Sequence, residues 1–323
     1  MASPESNPVQ VRGFKGLKNR IDPTALGLEW QLVAENVLCD DAGYLTRRPG
    51  MDAFLSGFKD VYGTRNGRLL AITTGDVLVE LTDSGDVLPL HTGVTGGPFQ
   101  WAELGYAFFL QSKAGSWAVY PDRVIPWGSL CPAQSTTSYP ISDPISYPPP
   151  VGEVIGVRRS QMVVGVWEPE RDRSVLYFSR PDFPHEFRLE KDFMLIAGRI
   201  TLFASLAQGL VIGTDRAIFV DPIESPVQRV ADYGVPMGAM AHDDLNRVHF
   251  WSERGLCRAW PFENLTDKAL AVQQREQVTA GILPYQGSTY AVIHQSGPLV
   301  PKQSTRPYVP LTISTTHTQG VSA

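Results

Sequence analysis

The chain has 323 residues, of which 43% are apolar, and a formal net charge of −5. This apolar fraction can build a sizeable core and excludes wholesale disorder, while the acidic balance excludes the basic footprint of a nucleic-acid-binding protein. Charged residues make up only 19% of the chain, and there are 29 Gly and 26 Pro. A sequence poor in charged helix formers and rich in turn residues is typical of an all-β protein with many short strands.

The three cysteines, Cys39, Cys131 and Cys257, are far apart in the sequence. Their odd number and the lack of a CxxC spacing favour free thiols over a disulfide framework or a zinc site. The N-terminus lacks the basic and apolar regions of a secretory signal, and the longest apolar stretch, 200–213, is too short to span a bilayer. We therefore expect a chain that is made in a cytoplasm and has no membrane-spanning segment.

The first 50 residues predict an N-terminal arm followed by a hairpin. Residues 1–20 are polar and unpatterned, which favours an extended arm, and helical turns are possible between residues 22 and 36. Two apolar runs, 36–39 and 44–48, flank an Asp/Gly cluster, and this pattern predicts a β-hairpin. Pro49 and Gly50 favour an end to the hairpin at that point.

A repeated unit then fills the predicted body, residues 51–295. Each copy is a short apolar run, a turn and a second apolar run, and the six copies begin at Gly67, Gly105, Ser160, Gly209, Asn246 and Ser288. Without one insertion the period is about 40 residues, the size of a four-stranded propeller blade. The pattern predicts a β-propeller of about six blades, with apolar runs such as 69–72, 107–110 and 210–212 as inner strands. The alternative is a β-sandwich pair or an irregular barrel.

Two polar segments accompany this body. Residues 128–150 form an insertion rich in Ser, Thr, Pro and Tyr, and residues 296–323 form a similar polar tail. Neither can build a core, so we expect an extended surface loop and an extended tail. Tyr139, Tyr147 and Tyr308 would suit arms that dock on a neighbouring molecule, whereas the alternative for the tail is disorder.

Motifs that carry chemistry are scarce. His185-Glu186 begins a metalloprotease string that Leu189 breaks, and neither a nucleophile elbow nor a phosphate loop occurs. The acid pairs Asp40–Asp41 and Asp243–Asp244 could contribute to a calcium or acid/base site, but short carboxylates at such positions more often start hairpin turns. The tryptophans could line a sugar site or fill blade cores. We predict no catalytic residue, no cofactor and no metal.

Residues 14–50 resemble the opening of a group of tailed-phage virion proteins. The resemblance rests on a glycine-led phrase with Asn, Arg and Asp-Pro (14–23) and on a second phrase from Glu-Asn-Val to Arg-Arg-Pro-Gly (35–50). The segments 177–184 and 250–255 also look like phrases of this group, which includes the tail hub or nozzle proteins of short-tailed phages, also described as packaged-DNA stabilisation proteins.

The resemblance implies a homo-oligomeric ring below the portal and adaptor of a virion tail, made in the host cytoplasm and forming the channel for double-stranded DNA. The −5 charge on each chain agrees with a conduit that does not hold DNA by phosphate contacts. We expect subunit contacts from the arms and the insertion, with these candidate residues: Arg20, Asp22, Arg47, Arg48, Tyr139, Tyr147 and Tyr308.

Two other functions remain open from the sequence. A receptor- or glycan-binding propeller at the tail tip would use exposed Tyr and Trp residues. A sialidase-like glycoside hydrolase would need two opposed carboxylates in a central pocket, for which Glu103, Glu168 and Glu253 are candidates by residue type alone.

Overall fold

The computed structural model describes residues 15–20, 22–27, 30–31, 37–39, 44–47, 55–82, 84–131, 146–222, 225–243, 245, 247–272, 275–285, 288–299 and 314–317. The described chain is almost entirely β-structure, and its two 3-10 helices span Pro23–Ala25 and Pro169–Arg171. It divides into two compact units, one of residues 52–235 and one that combines residues 1–51 with 236–323.

The first 14 strands, in chain order, are β1 (Gly16–Leu17), β2 (Trp30–Gln31), β3 (Val37–Cys39), β4 (Leu45–Arg47), β5 (Phe58–Gly63), β6 (Leu69–Thr73), β7 (Val77–Leu81), β8 (Val87–Thr92), β9 (Gln100–Leu104), β10 (Ala107–Ser112), β11 (Gly115–Val119), β12 (Val124–Pro126), β13 (Val154–Arg158) and β14 (Gln161–Glu168). The remaining strands are β15 (Arg173–Arg180), β16 (Phe183–Phe187), β17 (Phe193–Ala197), β18 (Ile200–Leu206), β19 (Gly209–Thr214), β20 (Ile218–Pro222), β21 (Gln228–Ala231), β22 (Met240–His242), β23 (Val248–Ser252), β24 (Gly255–Arg258), β25 (Glu263–Asn264), β26 (Arg275–Tyr285), β27 (Ser288–Leu299) and β28 (Ser314–His317).

Unit 52–235 contains four consecutive antiparallel sheets. Three of them pair their strands strictly in sequence order, as β5-β6-β7-β8, β9-β10-β11-β12 and β18-β19-β20-β21. The sheet β13-β14-β15-β16 has a fifth strand, because β17 also pairs with β15. A four-stranded meander of this kind is the structure of a propeller blade.

The most buried strand in each of these sheets is the second one. Strands β10 and β19 are buried at every residue, and β6 and β14 are buried through their centres. The apolar runs predicted as inner strands therefore lie inside the sheets, with a hydrogen-bonded strand on each side. Such a strand is covered on both faces and along both edges, which is why it needs an apolar run and not an alternating pattern.

Successive sheets in this unit pack face to face. Leu70 and Ile72 of β6 share a buried cluster with Phe108 of β10, and on the other face of β10 Phe109 packs with Met162 of β14. The third and fourth sheets approach so closely that a Cβ on Gly156 would lie 2.8 Å from the Cβ of Phe203. Each face that one sheet cannot cover alone is thus buried by the next sheet.

The unit that combines 1–51 with 236–323 has one blade-like sheet, β22-β23-β24-β25, and a three-stranded sheet, β26-β27-β28. Its core surrounds Trp251, which is 1% exposed and packs with Leu256, Val278 and Ile293. Leu17 of the N-terminal arm packs against the same core, and β1 pairs in parallel with β2.

The all-β class and a propeller arrangement are confirmed, with five blade-like sheets in the described residues. Six blades are not confirmed, because the sixth sequence repeat falls on β27 of the three-stranded sheet. The predicted hairpin is confirmed by the pairing of β3 with β4. Residues 23–25 form a helical turn as expected, but Trp30–Gln31 is a strand where helix was considered.

Candidate functional site

The outer strand β16 holds the near end of the insertion. Trp127 donates its indole N–H to the carbonyl oxygen of Pro184 at 2.8 Å. The next amide, that of Gly128, donates to Nδ1 of His185 at 2.9 Å. Two consecutive residues at the start of the insertion are therefore bonded to two consecutive residues of β16.

The far end of the insertion is bonded to the next two residues of the same strand. Ser146 donates its hydroxyl to Glu186 Oε2 at 3.3 Å. Tyr147 and Phe187 exchange both of their backbone hydrogen bonds, each at 2.8 Å. We name residues 127–128 and 146–147, together with β16, the insertion base. Residues 132–145, which include Tyr139, lie outside the described part of the chain.

Gly128 is required by the local backbone of the insertion base. Its φ is +98°, a conformation that residues with a side chain rarely adopt. A Cβ at this position would also lie 2.6 Å from Cδ of Pro149 and 2.8 Å from Cβ of Pro148. The glycine thus lets the returning proline run pass close to the outgoing chain.

His185 is the centre of the insertion base and is only 4% exposed. Nε2 lies 2.7 Å from the hydroxyl of Tyr120, and the Tyr120 ring stacks on the imidazole at 6.2 Å. Burial lowers the pKa of His185, and the neighbouring Glu186 carboxylate partly opposes this shift. The ring is therefore neutral at pH 7. Because Nδ1 accepts the amide of Gly128, the proton is on Nε2 and is donated to Tyr120.

Glu186 is a buried acid in the same place. It pairs with Arg180 through Nη1 at 2.7 Å, and its side chain is only 10% exposed. Burial, followed by the charge of Glu186, raises the pKa of the nearby Cys131 thiol. A thiol with a raised pKa is a poor nucleophile, and Glu186 serves to bind Ser146 and Arg180.

An exposed aromatic group lies beside the insertion base. Tyr106, in the turn between β9 and β10, is 74% exposed, and its ring centroid is 6.1 Å from that of Tyr120. Arg123 places its guanidinium 5.7 Å from the Tyr120 ring. Aromatic faces with adjacent hydrogen-bond donors are suited to contacts with sugars or with protein side chains.

A second cluster of acids and aromatics joins β5 and β9. Tyr62 stacks on Trp101 at 5.1 Å and donates its hydroxyl to Glu103 at 2.9 Å. Burial raises the pKa of Asp60, whose carboxylate is 3.5 Å from the Trp101 indole nitrogen. Glu103 also accepts the amide of Arg65. These bonds link the first strands of two adjacent sheets, and they account for Glu103, one of the candidate acids.

Of the other candidate acids, one is engaged in ion pairs and the other belongs to the second unit. Glu168 forms ion pairs with Arg173 at 2.9 Å and Arg171 at 3.6 Å, at the turn between β14 and β15. Glu253 lies in the β23–β24 turn, within the other unit. The described structure does not bring Glu103, Glu168 and Glu253 together within one unit.

Asp243 has the turn role that was expected of it. Its Oδ1 accepts the amides of Leu245 at 3.0 Å and Arg247 at 2.7 Å, and its Oδ2 binds Arg247 Nε and His249 Nε2. These bonds lower its pKa although burial alone would raise it. The prediction that Asp243 starts a hairpin turn is confirmed, whereas Asp40, Asp41 and Asp244 lie outside the described residues.

The predicted subunit-contact residues are spread over both units. Arg20 pairs with Asp267 at 2.7 Å and stays 42% exposed, and Asp22 accepts the amide and the hydroxyl of Thr24. Arg47 is exposed on β4, and Tyr147 is half-buried in the insertion base. Arg48 and Tyr308, like Tyr139, are not among the described residues. Contacts with other subunits stay a prediction for all of them.

Sequence reasoning missed the role of His185 and Glu186. The sequence places them 57 and 40 residues from their partners Gly128 and Ser146, so no local spacing could reveal the contact. One signal was available, since the segment 177–184 leads directly into them and contains Arg180, the partner of Glu186.

Among the described residues, no group of three or more His, Cys, Asp or Glu side chains is placed to hold a metal ion. None of the helices in that part of the chain is long and apolar enough to cross a membrane.

No family model and no curated protein matches the sequence. Among solved structures, the CNH domain of AfRom2 is similar at 8% identity and a TM-score of 0.43, over 80% of this chain and 85% of that one. The extracellular domain of a hybrid two-component system from B. thetaiotaomicron is similar at 12% identity and a TM-score of 0.41, over 72% of this chain, which spans only 31% of that protein. YCF48 bound to D1 peptide is similar at 8% identity and a TM-score of 0.36, over 71% and 75%.

Proposed function

We propose that the chain is a non-catalytic ring subunit of a tailed-phage virion, positioned below the portal and adaptor as a nozzle or hub that forms the DNA exit channel. The proposal starts from the resemblance of residues 14–50 to the opening of such proteins. Support comes from the contacts of the segments that carry the resemblance, because their residues bind other segments of the chain in the fold.

The observation that carries the proposal is the anchoring of the N-terminal arm by its first phrase. Asn19 donates its amide to the carbonyl of Ala269 and accepts the amide of Ala271 at 2.8 Å. The next residue, Arg20, forms the ion pair with Asp267. Consecutive polar residues of the phrase thus bind the arm to residues 267–271. A sequence pattern whose residues bind an N-terminal arm to the rest of its own unit is expected in a structural protein that assembles with other subunits.

The phrases at 177–184 and 250–255 have equivalent roles. Ser179 accepts the amide of Met162, and Arg180 binds Glu186 in the insertion base. Phe250 and Trp251 are buried at the centre of β23, and Ser252 bonds across the following turn to Gly255. All three segments therefore stabilise the fold, which supports a structural function.

The charge arrangement supports a channel along which DNA slides. Many described arginines form ion pairs with carboxylates of the same chain, namely Arg20, Arg68, Arg158, Arg171, Arg173, Arg180, Arg188, Arg199, Arg216, Arg229, Arg247 and Arg258. A guanidinium that already faces a carboxylate gains less from a phosphate, and the net charge of −5 adds long-range repulsion. DNA would then pass without the counterion release that holds it to basic proteins.

Electron microscopy and light scattering of the purified chain test the ring. Phage that lack the gene provide the matched test in the virion, where we expect tails that are incomplete below the head. A monodisperse monomer, together with complete and infectious virions made without the protein, would refute the proposal. Retention of double-stranded DNA at about 0.15 M salt would refute the sliding channel separately.

A glycan-binding function is the second candidate, and the exposed Tyr106 beside Tyr120 and Arg123 favours it. A glycan array tests this function with the wild-type chain and Tyr106→Ala. The matched control is Tyr44→Ala, since Tyr44 is 70% exposed in the N-terminal hairpin. Binding that Tyr106→Ala abolishes and Tyr44→Ala preserves would support this candidate, and an array without hits would eliminate it.

A further inference from the structure

Strand β17 forms most of the outer edge of the third sheet in unit 52–235. Within the described part of the chain it pairs only with β15, and next to it the amide of Phe178 donates to the carbonyl of Asp192 at 2.9 Å. Backbone groups alternate in direction along an antiparallel strand, so those of Phe193, Leu195 and Ala197 point away from β15. The N–H and C=O groups of these three residues are therefore open to a further strand.

The side chains of the same three residues form an exposed apolar stripe. Phe193 is 45% exposed and Leu195 is 46% exposed, and Ala197 is exposed as well. Met194 and Ile196 alternate with them and point to the other face of the sheet, where Ile196 is buried. The strand contains neither a charged residue nor a proline. An exposed apolar edge of this kind readily pairs with another strand.

The other outer strands of this unit have features that prevent such pairing. Pro89 in β8 and Pro126 in β12 each remove a backbone donor, and β21 exposes Arg229. The edge of β16 is already bonded to Tyr147 of the insertion base. Strand β17 has no such protection, which indicates that its edge is an interface.

We propose that β17 pairs with β17 of a second copy of this chain, antiparallel and about a two-fold axis at Leu195. In this register Leu195 lies opposite Leu195 of the second copy. Phe193 lies opposite Ala197, so the largest side chain of the stripe meets the smallest. The outward backbone groups also match, and each facing pair exchanges both of its hydrogen bonds. The edge of β17 is thus complementary to itself.

The charges at the ends of β17 are compatible with this register. Lys191 comes opposite Arg199 of the second copy, but Arg199 is already paired with Glu153, whose carboxylate oxygens lie 2.6 and 2.8 Å from Nε and Nη2. Asp192 is bonded to Arg188 at 2.7 Å. The repulsion between Lys191 and Arg199 is therefore offset by Glu153.

This contact goes beyond the proposed ring. Contacts within a ring run head to tail, whereas a two-fold contact uses the same surface on both copies. It joins two single chains, or it joins two rings through subunits that face each other. The paired surface adds little more than two large exposed side chains from each copy, so we expect a transient interface that forms at high protein concentration.

Light scattering at increasing concentration, up to about 0.2 mM, tests the pairing. Leu195→Lys places like charges opposite each other and should halve the mass of the assembly, whether its unit is a single chain or a ring. The matched control is Val87→Lys, since Val87 is 43% exposed on β8, and it should preserve the wild-type mass. A mass that Leu195→Lys leaves unchanged would overturn the pairing, whereas single chains that still pair would refute only the ring.

Disulfide formation gives an independent measurement of the register. Leu195→Cys should cross-link to the same residue of a second copy under mild oxidation, because facing Cα atoms in a hydrogen-bonded pair are about 5.5 Å apart, within the range of a disulfide. Mass spectrometry identifies the peptide linked at 195, and Val87→Cys should not give the equivalent product. Cross-links that involve only the native cysteines, or that form at 195 no faster than at 87, would equally refute the proposal.

Discussion

Replacing Gln111 with methionine tests how the chain returns from the insertion to the third sheet of unit 52–235. Gln111 lies on β10, is 1% exposed, and bonds with its amide to the carbonyl of Pro150 and the N–H of Gly152, both at 3.0 Å. Methionine has nearly the same volume, so the change removes two hydrogen bonds without opening a cavity. The buried N–H of Gly152 then lacks a partner, at a cost of about 1–3 kcal/mol. Pro150 as a whole is only half-buried, so the loss of the bond to its carbonyl adds less.

The expected result for Gln111→Met is a free energy of unfolding that is lower by about 2–4 kcal/mol. Urea unfolding followed by tryptophan fluorescence measures it. The matched control is Gln228→Met, since Gln228 is exposed on β21, and surface changes of this kind stay within about 0.5 kcal/mol. A loss in Gln111→Met no larger than that of the control would refute the reasoning that this amide bridges the two segments.

The same urea assay checks three further predictions. Phe109→Ala should lower the unfolding free energy by about 3–5 kcal/mol, since Phe109 is fully buried, whereas Val61→Ala, at an exposed site, should leave it nearly unchanged. Gly209→Ala should be strongly destabilising, because φ is +150° and a Cβ would overlap a backbone carbonyl of the next strand, unlike Gly63→Ala, where the space is open. Burial raises the pKa of Asp60, so its stabilising contribution is present below 3.8 and lost as the pH rises through the folded pKa. We therefore compare the unfolding free energy of Asp60→Asn with that of the wild type at each pH. The change caused by the substitution should be more favourable at pH 7 than at pH 3, and the opposite trend would contradict this assignment.

The blade repeats could be predicted from the sequence because the signal is local. The repeats that begin at Gly67, Gly105, Ser160 and Gly209 correspond to the second and third strands of the four sheets in unit 52–235. These two strands form the best-covered hairpin of each sheet, so they have the longest apolar runs. Outer strands have mixed patterns, such as the exposed first half of β8, and the sequence did not distinguish them from loops.

Contacts between distant segments could not be predicted in the same way. The hydrogen bond from Gly128 to His185 depends on how two sheets are placed, since Gly128 follows the last strand of the second sheet and His185 lies on β16 of the third. Neither residue has a sequence pattern that requires the other. Trp30–Gln31 illustrates a related error, since a short stretch that is compatible with a helical turn pairs instead with Gly16–Leu17. Tertiary pairing decided the conformation against local propensity.

The position of the insertion base follows from the way the third sheet ends. Strand β15 pairs with β17 from Arg173 to Tyr177, and only its last two residues, Ser179 and Arg180, pair with β16, with a shift of register between them. The outer edge of this sheet is thus divided between two strands. Because β17 already covers most of that edge, β16 is free to bond with a different segment of the chain. The last three residues of β16 are buried, and Phe187 packs in the same cluster as Phe109 and Met162. The insertion is therefore attached to a strand that is itself fixed in the core between two sheets, and the second strands β10 and β14 remain unchanged.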